Sequence, residues 1–327
     1  MTTLVLIVAP ARLLTARFWR DYVTTMRPYL LFVSGITGIA GLALARDPGF
    51  ACVAALSVVF FLTYGFGQAL TDCFQLDTDS LSAPYRPLVR GSIRREDVLA
   101  VSLAGLLASG LVIGGFAPGT LPLCGLAIVG LATYTWFKRR WWGGPWYNAW
   151  IVALVLFIAA QAGAGLPWRA PALLGALAAA LFGYANFVLV GYYKDTSADR
   201  ATGYHTLPVV FGLPVAHRVS DVLAGLALVG GLASAAASAL PAGPLAWVTT
   251  AGFALPAIGT TLVAQRRTHR VTSDANAHEA IGPVVHAYIL LLATVAAAAR
   301  PAWAPLLALF YLGFMATLHR RPMPEQI

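Results

Sequence analysis

Ten long apolar runs recur along this chain of 327 residues, at approximately 28–46, 50–70, 97–116, 120–137, 148–166, 170–192, 213–239, 243–264, 280–298 and 302–318. Each approaches the roughly 20 residues that carry a helix across a ~30 Å hydrocarbon core. Backbone in lipid has to satisfy its own hydrogen bonds, so such runs are restricted to helices. The composition agrees: 59% hydrophobic residues, 11% charged residues and a mean hydropathy of +0.73 lie outside the soluble globular range. The expected fold is all-α, a polytopic transmembrane bundle of nine or ten helices around a central cavity. Several runs are rich in Ala, Gly and Leu, which suits close helix packing in lipid.

Basic residues orient the bundle, because cytoplasmic loops retain Lys and Arg. Of the 22, only Arg46, Arg169 and Arg300 fall in the alternate set of loops; the other 19 lie in or beside the N-terminal arm, four loops and the tail, with Arg218 just inside the run at 213–239. Both termini and those four loops are therefore expected on the cytoplasmic side of an integral, multi-pass membrane protein. The net charge of +9 is divided among short loops, which fits anionic lipid headgroups and not a nucleic-acid partner. The opening "MTTLVLIVAPARLL" places its apolar run before its arginines, the reverse of a secretory signal. This divides the chain into an interfacial arm (1–26), one transmembrane domain (27–318) and a cytoplasmic tail (319–327). Cys52, Cys73 and Cys124 show neither paired nor metal-ligand spacing.

The chain has 13 acidic residues, and five of them crowd into two segments on that same side: Asp72, Asp77 and Asp79, then Asp195 and Asp199. Residues three, four and seven apart share a helical face. Gln68, Asp72, Gln75 and Asp79 thus form one polar stripe if the helix continues through them, and Asp195 and Asp199 align likewise. Facing carboxylates repel unless a cation lies between them, and hard oxygen ligands of this kind suit Mg²⁺ carried by a phosphate. Solvated loop charges paired with arginines are the ordinary alternative for one such cluster, and less so for two on one face. The only two lysines, Lys138 and Lys194, sit at helix ends on this side. In "YTWFKRRWWGGPWYN", Lys138 offers a point charge for phosphate oxygens beside Arg139 and Arg140.

These residues resemble the UbiA superfamily of intramembrane prenyltransferases over about Arg27 to Gly212. Its first motif, NDxxDxxxD followed by RPL and a Gly, is similar to "TDCFQLDTD" followed by "SLSAPYRPLVRG", with Thr71 in place of Asn and Gln75 in place of Asp. Its second, DxxxDRxxGxxTLP, is matched by Asp195, Asp199, Arg200, Gly203, Thr206, Leu207 and Pro208. Tyr134 and Lys138 resemble its YxxxK element, Arg27 and Pro28 fit the opening of its first helix, and Gly191 and Tyr192 replace an Asn-Asp pair.

The resemblance implies a prenyltransferase. It transfers a prenyl group from an isoprenoid diphosphate to a lipophilic acceptor, with an aromatic one favoured, and releases diphosphate. It implies Mg²⁺ as cofactor, with Asp72, Asp79, Asp195 and Asp199 as catalytic ligands and Asp77 as a further ligand in place of the missing carboxylate. Arg86, Lys138, Lys194 and Arg200 would neutralise the diphosphate, aided by Gln68, Gln75 and Asn186. Tyr64, Phe187, Tyr192 and Tyr193 are candidates to line an allylic cation, which aromatic faces stabilise. Two alternatives stay open: a terpene cyclase of the same superfamily, suggested by the departures in the first motif, and a transporter or lipid-binding protein, since intramembrane carboxylates also mark ion pathways. The clustering of polar residues at one face, not along a midplane path, weighs against the second.

Overall fold

The computed structural model of the protein describes residues 10–163, 165, 167–241 and 243–321. Residues 1–9 of the expected arm and 322–327 of the expected tail lie outside them. The described chain is helical apart from isolated bridges between Ala11 and Ile93 and between Arg140 and His205.

An amphipathic helix, α1 (Ala16–Met26), begins where the Thr15 hydroxyl accepts from the Phe18 amide at 3.2 Å. It ends at Arg27, whose φ of 54° turns the chain by 46° into α2 (Leu31–Leu44). Then follow α3 (Phe50–Asp72), the short α4 (Leu76–Ser82), α5 (Arg95–Phe116), α6 (Leu121–Lys138) and α7 (Gly144–Ala160). The remainder is α8 (Pro171–Gly191), a short α9 (Thr196–Ala201), α10 (Leu207–Ala239), α11 (Pro244–Thr268), α12 (His278–Ala299) and α13 (Ala304–His319).

Among the described residues, eight helices are long and apolar enough to span a membrane, the bent α1–α2 pair makes a ninth, and α7 is a shorter apolar helix. Every expected run contains a helix, and the ends shift where Gly and Pro dictate. The run at 148–166 becomes a helix that starts earlier at Gly144, with Pro145 in its first turn, and stops at Ala160 before Gly163 and Gly165, both at positive φ. The run at 213–239 gains a preceding turn from Leu207, joined across Gly212 at φ 76° and followed by Pro214.

The centre of the bundle is α12, most of whose residues are buried among α2, α8, α10 and α11. Small residues let backbones touch. A Cβ on Gly41 would meet the Leu156 carbonyl of α7, and one on Gly175 of α8 would meet the Gly230 carbonyl of α10. The motif segments close one end of the bundle, where α4 packs on α9.

Candidate active site

The first polar stripe does not lie on a continuous helix. After Asp72 the chain tightens, with the Phe74 amide bonded to the Thr71 carbonyl and the Gln75 amide to Asp72, before α4 begins. Gln68, Asp72, Gln75 and Asp79 nevertheless line one cavity, because the break redirects α4 across the bundle end. The second segment also departs from a simple helix. Tyr192–Asp195 is a 3-10 turn that leads into the short α9, which carries Asp199. Asp195 and Lys194 line the cavity.

Asp199 lies beneath it, fully buried, and joins the two motifs. Its carboxylate accepts from the Thr78 hydroxyl at 3.1 Å and from Thr206 at 3.2 Å. The threonine of the "TLP" element thus anchors the aspartate seven residues before it. Asp77 turns to the other side of α4. It pairs with Arg139 at 2.9 Å, accepts from the Tyr204 hydroxyl at 3.0 Å, and is 41% exposed. It therefore ties the two loops together at the surface, away from the cavity.

Within the cavity the charges are matched in pairs. Arg27 Nη2 donates to both Asp72 oxygens at 3.0 Å, and Gln68 Nε2 donates to Oδ1 at 2.6 Å. Arg86 lies between two carboxylates, 3.8 Å from Asp72 and in close contact with Asp79. Burial pushes the Asp79 carboxyl above the usual carboxylate range, and Arg86 opposes that rise. Lys138 Nζ donates to Gln75 Oε1 at 2.8 Å, stands 3.9 Å from Asp199, and faces the rings of Tyr192 and Tyr204 at 5.4 and 5.5 Å. Tyr134 and Tyr192 share a 2.7 Å hydroxyl contact.

Tyr64 and Phe187 line the cavity with Tyr192. Tyr193 points away and packs against His217. Arg200 is exposed on α9 and is not among the lining residues. Asn186 faces α10 and α11, where its amide oxygen accepts from Ser220 at 2.6 Å and its nitrogen approaches Gln265 at 3.4 Å. One step around α8 separates it from the cavity-lining Phe187, and that step decides its company. Conversely, Arg27, Tyr134, Tyr184 and Asn148 line the cavity without having been singled out as site residues. For Arg27 the signal was present in the sequence, as an arginine beside a proline at the start of an apolar run.

The polar cavity adjoins an apolar pocket between α3, α5, α6 and α7. Tyr64, Gln68, Thr71, Asn148 and Tyr184 belong to both walls. The arrangement can hold a multiply charged anion at one end and a long apolar chain at the other.

Comparison with known proteins places this geometry. The model of the UbiA prenyltransferase family matches residues 32–281. The digeranylgeranylglyceryl phosphate synthase of Halobacterium salinarum is 30% identical over 208 residues, covering 62% of this chain and 69% of that protein. The chloroplastic chlorophyll synthase of Oryza sativa is 29% identical over 172 residues, covering 46% and 43%. Among solved structures, a UbiA homolog from Aeropyrum pernix superposes with a TM-score of 0.67 at 20% identity, over 82% of this chain and 97% of that one. A UbiA homolog from Archaeoglobus fulgidus bound to GPP and Mg²⁺ gives 0.64 at 18%, over 85% and 99%. With its multi-pass helical bundle and a polar cavity at the end of an apolar pocket, the chain belongs to the UbiA prenyltransferase family and is an integral membrane prenyltransferase.

Proposed function

We propose that this enzyme transfers a prenyl group from an isoprenoid diphosphate to a lipophilic acceptor. The observation that carries the reading is the continuity of the two cavities: Arg27, Arg86, Lys138 and Lys194 surround the polar one, and the apolar one leads from it through a shared wall. The related structure bound to GPP and Mg²⁺ supports a prenyl diphosphate as the ligand class.

The residues fit a magnesium ion delivered with its substrate. Mg²⁺ bound to phosphate needs only one or two protein carboxylates, and Asp72, Asp79 and Asp195 line the cavity that would receive it. When bound, the ion supplies charge neutralisation to the departing diphosphate. The chain's own cations do the same from fixed positions. As the bond between the allylic carbon and the bridging oxygen breaks, its electron pair leaves with the diphosphate. Tyr64, Tyr184 and Tyr192 face the resulting cation, the acceptor forms the new bond, and a proton is released. The preponderance of basic residues on the motif side supports a cytoplasmic position for this cavity.

Purified enzyme with Mg²⁺ and prenyl diphosphates of graded length, with and without aromatic and glyceryl phosphate acceptors, tests the reading. Diphosphate release that requires an acceptor supports transfer. Acceptor-free formation of a cyclic hydrocarbon supports the cyclase alternative, which would use the same site, and no release from any substrate sinks both.

Two smaller effects follow. Val155→Trp fills the far wall of the apolar pocket, so longer prenyl chains should lose about tenfold in kcat/KM while the shortest keeps its value, since overpacking by a ring costs about 1–3 kcal/mol. Asp77→Asn removes a half-exposed surface pair, worth about 0–1 kcal/mol. Its melting temperature should hardly move and its activity should stay close to wild type. A large loss of activity with unchanged stability would return Asp77 to the expected metal ligands.

A further inference from the structure

We infer that α1 is a docking surface for the anionic headgroup layer of the enzyme's own membrane, and that this contact holds Arg27 in the active site. The helix has three faces. At 100° per residue, Phe18, Tyr22, Thr25 and Met26 gather on one side and are buried. There the Tyr22 hydroxyl meets Ser102 of α5 at 2.9 Å, and Met26 lies against Gly65 of α3. The second face is apolar and uncovered: Trp19 and Val23 are each 47% exposed, and Leu14, just before the helix, is 94% exposed. The third is basic, with Arg17 and Arg20 exposed and Arg12 exposed in the preceding turn. Asp21 is the one acidic side chain on the helix, and its group stands 3.9 Å from Arg20.

An uncovered apolar strip flanked by arginines matches the acyl boundary and phosphate layer of a bilayer surface. With Arg17, Arg20 and Asp21 spread along only eleven residues, α1 is too short to span by itself and favours a position in the membrane plane. The depth is also right, because α1 meets the site directly. Its last turn leads to Arg27 in the left-handed region, a conformation that a side-chain-bearing residue rarely adopts unless its surroundings hold it there. The guanidinium of that residue is the one bonded to both Asp72 oxygens. On the other side of α1, the Ala11 amide donates to the Ser92 carbonyl at 2.9 Å, fastening the arm to the loop that follows Arg86 and Pro87.

The surface contact stands on α1 alone; the link to catalysis rests on the diphosphate reading of the cavity. Hydrogen–deuterium exchange of residues 16–26 is therefore measured first, with the full chain in bilayers of phosphatidylcholine alone or of phosphatidylcholine with phosphatidylglycerol. Exchange should slow in the anionic bilayer by about fivefold for each arginine engaged, and Arg17→Gln with Arg20→Gln should remove all of that difference but the share of Arg12. Trp19→Ser should speed exchange in both bilayers. Equal exchange of the wild type in the two bilayers, or an unaltered response in the double variant, would overturn the docking surface. The KM for prenyl diphosphate should rise in the neutral bilayer for the wild type and in both for the double variant. A KM indifferent to lipid would overturn the link to Arg27. Absence of any diphosphate release would instead count against the proposed activity and leave the exchange result standing.

Discussion

Arg86→Met should lower diphosphate release by about a thousandfold, at the upper end of what loss of a preorganised cationic donor costs. The reason is its place between two acids: it lies 3.8 Å from Asp72, touches Asp79, and is only 13% exposed. Asp72 would keep Arg27 and Gln68 as donors. Asp79 would keep no comparable partner, and its carboxyl, already pushed up by burial, would take up a proton or remain as an uncompensated charge. Breaking such a buried pair costs about 3–5 kcal/mol, so the variant should also melt earlier in detergent. Arg86→Lys separates the two effects. It restores a charge and much of the stability, whereas a single ammonium cannot serve two carboxylates and a diphosphate as a planar fork does. Single-turnover release within tenfold of wild type for Arg86→Met would remove Arg86 from the diphosphate site.

Lys138→Met should reduce the rate by about a hundredfold to a thousandfold with a smaller loss of stability. The shortest contact of Lys138 is with a neutral amide, Gln75, and its acidic neighbour Asp199 retains the Thr78 and Thr206 hydroxyls. The ammonium is therefore less committed to internal pairing than either arginine, and more of its charge is available to a ligand. Here the glutamine at the position where the superfamily usually has aspartate acquires a physical meaning: a carboxylate 2.8 Å from Nζ would neutralise the lysine. Melting temperature and diphosphate release, measured side by side, check the contrast. Equal destabilisation by Lys138→Met and Arg86→Met would count against it.

The spans were legible because lipid leaves the backbone few options, so that hydropathy alone located each long apolar helix, though not its ends where Gly and Pro intervene, as in α7 and α10. The convergence of the two motif segments was legible as well, through Asp72, Asp79 and Asp195, although the helix that their spacing assumed in fact breaks after Asp72. What escaped were rotations. A tightened turn after Asp72 sends Asp77 toward Arg139, Asp199 is buried beneath the cavity against Thr78 and Thr206, and 100° around α8 gives Asn186 to Ser220 and Gln265. Such angles depend on partners far along the chain, as the 121 residues between Thr78 and Asp199 illustrate. Polar residues at Ser220, Asp221 and Gln265 in two later helices could have suggested that Asn186 had a partner other than the ligand.

The enclosure of α12 bears on how the molecule is made. Both motif segments are synthesised before it, yet α2, α8, α10 and α11 all rest against a helix that begins only at His278. Until that helix is inserted, the faces that these four helices turn toward it have no α12 to pack on. Assembly of the scaffold thus waits for α12, and a ribosome stalled before Ala299 would display a membrane-inserted chain whose catalytic parts are all present and whose scaffold is not.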